Sequence, residues 1–352
     1  MLRPSSRKDL EAVVRWLVSR RATRRCLNHA YNCLSLVQKK SFYASFAKMF
    51  REHPQHVAEG EWWVNIGGRW ATLPLGGHDT WLEWDLAVSM LGHEVEIKRT
   101  YLDLIRFRRP RLFFDIGANY GLHSVFFLVH GVPTVSFEPN VRCHDYFRKI
   151  AGRNSVPCDI QQLALGAEEG WAEIFFPETE TWLGSTNPAV QDELIKGHGG
   201  ISRIRVPQTT LDCFTQRYGR QPDLIKIDTE GNEAEILRGG LNTLRTCRPW
   251  VIFESWRDIS RERLFTLFAD VAYSICTLPF QHPRQPIVLE RTRLLEWPET
   301  NLIALPIEDV GSSRTYAQRP SRDEPCKGWT RGLTVGPPTQ GALSPSEPSK
   351  PE

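Results

Sequence analysis

Three acidic side chains directly follow an apolar stretch in the second half of the chain. Residues 224–227 are apolar apart from one lysine, and they lead into Asp228, Glu230 and Glu233. Ligands of a parallel sheet bind beyond the carboxyl ends of its strands. Asp228 and Glu230 are therefore candidate catalytic residues, for example as a base that takes a proton from an acceptor. Glu233 fits better in the first turn of the next helix, where an acid favours the helix dipole.

A glycine-containing turn at 115–121 forms a second group of candidates for binding a cofactor. Gly117 and Gly121 allow a positive φ and a close approach of a ligand to the helix that follows. Asn119 stands where GxGxxG would have its second glycine, and the third is missing, so a nicotinamide dinucleotide is disfavoured. Asp115 either holds the turn through backbone N–H groups or attracts an ammonium group of the cofactor.

Three more candidates follow from their positions after the turn and after the next two strands. Glu138 lies about 20 residues beyond the turn, where an acid accepts hydrogen bonds from both ribose hydroxyls. Ala164 follows the third strand, on the side where we expect an adenine ring. His123 begins the helix after the turn and is the last-ranked of the three candidate bases, because a structural role fits its position better.

Short apolar strands and helical segments alternate from residue 111 to about residue 305, which is typical of a parallel sheet covered on both faces. The predicted strands are 112–116, 134–138, 160–164, 224–228, 251–254, 273–278 and 302–305. The predicted fold class is therefore α/β, with a seven-stranded doubly wound sheet and an N-terminal helical and β extension.

We predict three parts along the chain: an extension at 1–100, a catalytic domain at 101–308 and a disordered tail at 309–352 rich in Pro and Ser. The extension begins with basic helical segments, which pack against the domain or, less readily, lie on a membrane. It continues with a Trp-rich segment at 61–84 that predicts short hairpins. The side chains of these tryptophans either bury apolar surface in a small accessory sheet or stack on a substrate. A segment at 178–198 fits either a lid or an ordinary loop.

Composition narrows the class of protein. The chain has 44 Lys and Arg against 41 Asp and Glu, a formal net charge of +3, so we expect no nucleic-acid partner. Its eight cysteines form neither CxxC pairs nor zinc-type clusters, which favours reduced thiols in a cytoplasmic protein. No signal-peptide core and no run of about 20 apolar residues is present, so we expect no integral membrane segment.

Six motifs together resemble the FkbM family of methyltransferases. They are FFDIGANYG at 113–121, FEPN at 137–140, LALG at 163–166, TTLD at 209–212, LIKIDTEGNE at 224–233 and RPWVIFE at 248–254. The resemblance implies a Rossmann-like class I methyltransferase fold and S-adenosylmethionine as the methyl donor. It also implies a small-molecule acceptor that carries a hydroxyl group, such as a sugar, a glycolipid or a polyketide-like compound.

We therefore expect an S-adenosylmethionine-dependent O-methyltransferase. The main alternative is a scaffold protein that binds S-adenosylmethionine without catalysis, although strand-end acids have no use in such a protein. Methylation of nitrogen is disfavoured because no Asn-Pro-Pro-Tyr-type tetrapeptide follows the fourth strand. Asp228 and Glu230 would suit a divalent cation that orients two acceptor oxygens. The sequence shows no obvious third ligand, and we predict no metal site.

Overall fold

Four helices and a β-hairpin form the first part of the structure that is described. The computed structural model describes residues 13, 16–17, 19–51, 61–74, 80–177, 184–197, 200–256 and 260–310. Its first elements are α1 (Arg21–Asn32), α2 (Leu36–Arg51), β1 (Glu61–Ile66), β2 (Arg69–Pro74), α3 (Thr80–Gly92) and α4 (Val95–Phe107). Within the described residues, no helix combines the length and apolar character needed to cross a membrane.

The hairpin forms because its residues alternate between two environments. β1 and β2 pair antiparallel, and Trp62, Val64 and Ile66 of β1 are buried while Trp63 between them is exposed. This period of two is the pattern of a strand with one covered face. Trp81 and Trp84 do not extend the hairpin as we predicted, because the apolar stretch that contains them forms α3.

Both edges of the hairpin are covered by helices. On the β1 side, Asn28 of α1 donates to the carbonyl of Trp63. On the β2 side, the Asn154 side chain accepts from the N–H of Thr72 (2.7 Å) and donates to its carbonyl (2.8 Å). Capping the edges in this way satisfies strand groups that would otherwise be open to pairing with another chain.

The central sheet contains all seven predicted strands, which confirms the fold class. They are β3 (Phe113–Ile116), β4 (Thr134–Phe137), β5 (Ile160–Gln161), β9 (Leu224–Ile227), β10 (Trp250–Glu254), β11 (Tyr273–Thr277) and β12 (Asn301–Pro306). Their spatial order is β5-β4-β3-β9-β10-β12-β11. β12 runs antiparallel to both neighbours, unlike the parallel arrangement we expected. A parallel strand is usually reached through a long crossover helix. Residues 278–300, which lead into β12, contain only one short helix, so β12 runs antiparallel.

A smaller sheet and the remaining helices surround this centre. The smaller sheet has the order β6-β8-β7, with β6 (Ala164–Leu165), β7 (Gly170–Pro177) and β8 (Ile201–Thr209). Ala164 therefore pairs with this sheet and not with the third strand of the central one. The helices are α5 (Leu122–Val129), α6 (Val141–Arg153), α7 (Pro188–Gly197), α8 (Leu211–Tyr218), α9 (Glu233–Arg238), α10 (Leu241–Cys247), α11 (Arg261–Asp270), α12 (Arg291–Glu296) and α13 (Ile307–Val310).

Successive residues of the central strands supply two hydrophobic clusters, one on each face. Phe113 joins a cluster that includes Val64 of β1 and Tyr101 of α4, whereas Phe114 joins the opposite cluster with Val251. The extension thus helps to cover one face of the sheet, and the boundary at residue 100 remains a proposal. Apart from residues 309 and 310 in α13, the predicted tail lies outside the described residues.

Replacing Trp62 by alanine is expected to destabilise the protein by about 3–5 kcal/mol, because a buried indole leaves a large cavity. Trp70→Ala is the matched control on the other strand; its side chain is 52% exposed. We expect a change within about 0.5 kcal/mol for it. Urea unfolding followed by circular dichroism measures both, and equal losses would show that the hairpin does not share the core.

Candidate active site

The candidate site lies at the ends of the neighbouring strands β3 and β9, from which the chain continues towards opposite edges of the sheet. After β3 the chain builds the sheet towards β5, and after β9 it builds towards β11. Such a switch point opens a crevice at the carboxyl ends of the strands. A cavity of about 410 Å³ occupies it and is lined by seven predicted residues: Gly117, Asn119, His123, Glu138, Ala164, Asp228 and Glu230.

The turn after β3 has the backbone conformation that the glycines predict. φ is 80° at Gly117 and 77° at Gly121, and 50° at Asn119. A β-carbon at Gly117 would overlap the main-chain carbonyl of Asp228, and one at Gly121 would press on the ring of Phe147. The space that these glycines leave is therefore occupied by protein. Gly117 still lines the cavity, whereas Gly121 lies behind its wall.

Glu138 is held at the end of β4 by two backbone N–H groups. Asn119 N donates to its Oε2 and Asn140 N to its Oε1, each at 2.7 Å. Burial raises the pKa of Glu138 to about 7, against the lowering effect of these N–H groups. Each oxygen keeps a lone pair for a ligand hydroxyl. Asn140 also lines the cavity, and its buried Nδ2 has no hydrogen-bond partner among the described residues.

Asp115 lies behind the cavity, not in its wall. Its side chain is almost fully buried, and its Oδ2 accepts a hydrogen bond from Ser124 Oγ at the start of α5 (2.5 Å). Ser124 in turn contacts Ser136 Oγ at 2.8 Å. Burial raises the pKa of Asp115. The carboxyl group thus ties β3 to α5 and β4, and a direct contact with a cofactor remains a proposal.

A buried lysine and an acid meet at the end of β9. The Lys226 ammonium donates to Asp228 Oδ2 at 2.6 Å and lies 4.0 Å from Glu94 Oε2. The two carboxylates keep the pKa of Lys226 raised although burial opposes this. The Asp228 side chain is 29% exposed and lines the cavity, so one carboxylate reaches both the lysine and the ligand space.

Two further acids stand beside Asp228. Glu230, with φ of 52°, and Glu254 at the end of β10 both line the cavity. One carboxylate oxygen from each of Asp228, Glu230 and Glu254 lies within 4.8 Å of the other two. Burial raises the pKa of Glu230 to about 8, and Asp228 and Glu233 add to this. Burial and the neighbouring Asp228 and Glu230 raise the pKa of Glu254 to about 9. These three oxygens form a set that could hold a metal ion, and metal dependence stays an open alternative.

Glu233 has the structural role that we expected. Its Oε1 accepts from the N–H and the hydroxyl of Thr229, each at 3.0 Å, and from the N–H of Gly231 at 3.2 Å. Its side chain is fully buried. Glu233 therefore fixes the loop that presents Asp228 and Glu230 and is not itself exposed to a ligand.

His123 is engaged through both ring nitrogens. Its Nε2 lies 2.8 Å from Glu94 Oε2, and its Nδ1 lies 3.2 Å from the Tyr101 hydroxyl. Burial would raise the pKa of Glu94, but Lys226 and His123 lower it well below its usual range. Because neither nitrogen is directed at the ligand space, this arrangement favours a positioning role for His123 over that of a base.

Sequence reasoning missed several residues that line the cavity. Glu254 was within the RPWVIFE motif, and its position as the last residue of the predicted strand 251–254 was a signal for it. Tyr43, Ser89, His93 and Glu94 come from the extension. Their approach depends on tertiary packing of α2 and α3, for which the sequence carries no local signal.

Part of the predicted lid also reaches the site. Gly184 and Thr186 line the cavity. Ser185 Oγ donates to the carbonyl of Glu230, and Asn187 Nδ2 donates to that of Gly231, both at 2.7 Å. Residues 178–183 lie outside the described part of the chain, so the lid itself stays a prediction.

Comparison with known proteins identifies the domain that carries this site. Residues 115–277 match the family described as the methyltransferase FkbM domain, which confirms the resemblance and with it S-adenosylmethionine as the cofactor that the resemblance implies. A search of curated proteins gives no match.

Several solved structures are similar to the chain. The FkbM methyltransferase of Methylobacillus flagellatus is 13% identical, with coverage of 68% of this chain and 56% of that one and a TM-score of 0.36. The chain thus spans little more than half of that relative. An S-adenosylmethionine-dependent methyltransferase of Agrobacterium tumefaciens is 12% identical, with 72% of each chain covered and a TM-score of 0.35. The precorrin-6y C5,15-methyltransferase of Geobacter metallireducens is 12% identical, with coverage of 60% and 88% and a TM-score of 0.32.

Glu138→Ala is expected to weaken binding of S-adenosylhomocysteine by about 1–3 kcal/mol, because charge-assisted hydrogen bonds to ribose hydroxyls are lost. Titration calorimetry measures the affinity. Glu168→Ala, at a side chain that is 82% exposed, is the matched control and should bind as the wild type does. Unchanged affinity in a folded Glu138→Ala protein would refute the ribose assignment.

Glu230 and Glu254 should make the protein less stable as pH rises. Their folded-state pKa values of about 8 and 9 exceed the unfolded value of about 4.3, so the folded state binds more protons between these limits. The stabilisation that these two carboxyl groups contribute is therefore fully present at pH values below their unfolded pKa. It is lost as the pH rises through their folded-state pKa values. Urea unfolding measures the loss of stability between pH 6 and pH 8, and this loss should be about 2–3 kcal/mol smaller in Glu254→Gln than in the wild type.

The same experiment separates the two views of the acidic cluster. If the three carboxylates bind a divalent cation, added Mg²⁺ should restore stability at pH 8 in the wild type and not in Glu254→Gln. If Mg²⁺ has no effect on either protein, the metal alternative is wrong. A decline that is equal in both proteins would instead refute the raised pKa of Glu254.

Proposed function

Because residues 115–277 belong to the family of FkbM methyltransferase domains, we propose that the protein is an S-adenosylmethionine-dependent O-methyltransferase. Its acceptor is a hydroxyl group of a sugar, a glycolipid or a polyketide-like small molecule. One observation carries the proposal: Glu138 and Asp228, at the ends of different strands, line one cavity of about 410 Å³. A donor-binding acid and a base for the acceptor thus share one space.

The cavity has polar groups for the ribose of the methyl donor and an apolar surface for its adenine ring. Glu138 has a free lone pair on each oxygen for the ribose hydroxyls. The buried Asn140 Nδ2 lacks a partner among the described residues and would gain one from a polar ligand. Leu163, Ala164 and Leu165 line the cavity and supply an apolar surface for the adenine ring. When bound, S-adenosylmethionine supplies a methyl group activated by the positive sulfonium.

Asp228 is the best candidate for the base. It is partly exposed in the cavity, and it accepts a charge-assisted hydrogen bond from the Lys226 ammonium. Lys226 fixes the orientation of the carboxylate, while the second oxygen can take the proton of an acceptor hydroxyl. Of the other two candidates, Glu230 has its pKa raised to about 8 and holds a proton at neutral pH, and His123 is engaged by Glu94 and Tyr101.

The protonation of the acidic cluster supports oxygen as the accepting atom. With pKa values of about 8 and 9, Glu230 and Glu254 carry protons at neutral pH and can each donate a hydrogen bond. Ligand oxygens such as those of a sugar would accept these bonds. His93, Tyr43 and Ser89 line the same cavity and can select the acceptor.

Two alternatives compete with this proposal. A scaffold that binds the cofactor without catalysis would require neither the buried Lys226 nor the carboxylate that it orients, which counts against it. A metal-assisted transfer would use Asp228, Glu230 and Glu254 together to orient acceptor oxygens. The Mg²⁺ experiment described above tests that variant without knowledge of the acceptor.

Calorimetry with S-adenosylmethionine, S-adenosylhomocysteine and NAD tests the cofactor assignment directly. We expect micromolar binding of the two adenosyl compounds and none of NAD. Methyl transfer from labelled S-adenosylmethionine to a panel of glycosides and polyketides then tests the acceptor class. Binding without transfer to any acceptor would favour the scaffold alternative, and absence of binding would refute the proposal.

Asp228→Asn is expected to lower the rate of methyl transfer by about 10²–10⁴-fold, because the acceptor loses its base. Binding of S-adenosylhomocysteine should change little. Asp145→Asn, at a side chain of α6 that is 94% exposed, is the matched control. Single-turnover transfer of labelled methyl groups gives the rate, and a full rate in Asp228→Asn would show that another group is the base.

A further inference from the structure

Exposed tryptophans and arginines lie together on the outer side of the extension. Strand residues Trp63 and Trp70 are 39% and 52% exposed. Exposed arginines of α1 lie beside them. We call this surface the basic face and define it by Arg21, Arg25, Trp63 and Trp70.

One contact, the strand register and the helical spacing place the members of the basic face on one side of the extension. Arg25 Cζ lies 4.6 Å from the centre of the Trp63 ring. Trp70 pairs with Asn65 across the hairpin, so it projects on the same side as Trp63, two residues away along β1. Arg21 precedes Arg25 by one helical turn and therefore follows the same side of α1.

The two tryptophans are not needed by the hydrophobic core. The opposite face of the hairpin supplies Trp62, Val64 and Leu73, and these are buried. Placing two more indoles in solvent exposes apolar area at a cost in free energy. Two exposed indoles on one side of the hairpin, beside exposed arginines, make this surface a candidate for contact with a partner.

The segment that supplies Arg21 and Arg25 is basic in its composition. Residues 12–51 contain nine Lys and Arg residues and no Asp or Glu, although the whole chain has a formal net charge of only +3. Such a segment is attracted to an anionic surface. Indole rings favour the boundary between water and lipid headgroups, and arginines beside them pair with anionic lipids.

We propose that the basic face binds the surface of an anionic membrane as a peripheral contact. Nucleic acid is the other polyanion to consider, and it binds tryptophan by stacking a base on the ring. Arg25 covers one face of the Trp63 ring, and the ring Nε1 donates to Glu61 Oε2 at 3.5 Å, so one face and part of the edge are left for contact. A base can stack only on that single remaining face, whereas a lipid interface accepts the ring in any orientation, so the geometry favours lipid. This proposal goes beyond the proposed function and does not rest on it.

Vesicle flotation tests the proposal with the full chain. Vesicles of phosphatidylcholine with phosphatidylserine should carry the protein, and vesicles of phosphatidylcholine alone should carry far less. Binding should weaken as salt rises. Arg21→Gln combined with Arg25→Gln should weaken binding about thirty-fold, since each arginine near the surface contributes about 1 kcal/mol. Trp63→Ala with Trp70→Ala should weaken it as well, and lower salt should restore little of that loss.

A second exposed pair supplies the matched control. On the smaller sheet, Arg205 Cζ lies 4.9 Å from the ring of Trp171, which is 62% exposed. Trp171→Ala with Arg205→Gln should float as the wild type does. An equal loss in this variant would overturn the assignment to the basic face.

Three further outcomes would also overturn the proposal: equal binding to both kinds of vesicle, absence of binding to either, or capture by single-stranded oligonucleotides without binding to vesicles. Binding of S-adenosylhomocysteine by each variant reports folding of the central domain. Failure of vesicle binding with intact S-adenosylhomocysteine binding would therefore leave the proposed function untouched.

Discussion

A lysine ammonium buried at the end of the central strand constrains the whole site. Only 2% of the Lys226 side chain is exposed, and a charge in such a position requires compensating partners. Asp228 supplies one from the loop after β9, and Glu94 supplies the other from the turn between α3 and α4. Glu94 also accepts a hydrogen bond from Asn301 of β12 at 3.0 Å. One charge thus draws three separate parts of the chain to the same point.

The carboxyl groups near Lys226 are of two kinds, one with a lowered pKa and one with a raised pKa. Glu94, paired with Lys226 and His123, has its pKa lowered well below the usual range, whereas Glu230 and Glu254 have theirs raised by burial and by neighbouring acids. Neutral and ionised carboxyl groups therefore stand side by side in one cavity. An enzyme that must both accept a proton and donate hydrogen bonds needs this combination.

The strands of the central sheet were predictable because each is a short apolar run bounded by turn residues, and burial on both faces requires such runs. The residues around the glycine turn were predictable for a similar local reason. Glu254 was not identified because its proximity to Asp228 follows from the pairing of Phe253 with Ile227, which links strands far apart in sequence. Glu94 and His93 were missed because helix packing, and no sequence period, brings them to the cavity.

The cavity draws its walls from segments that are separate in sequence. Part of the lining comes from residues 116–165, within the matched domain, while Tyr43, Ser89 and His93 precede that domain. Under the proposed function, substitutions at these three positions would change the choice of acceptor and leave Glu138 in place. Glu94 follows directly and lies 4.0 Å from Lys226, so the extension and the matched domain depend on each other. An extension exchanged between relatives would therefore have to bring a matching partner for this lysine.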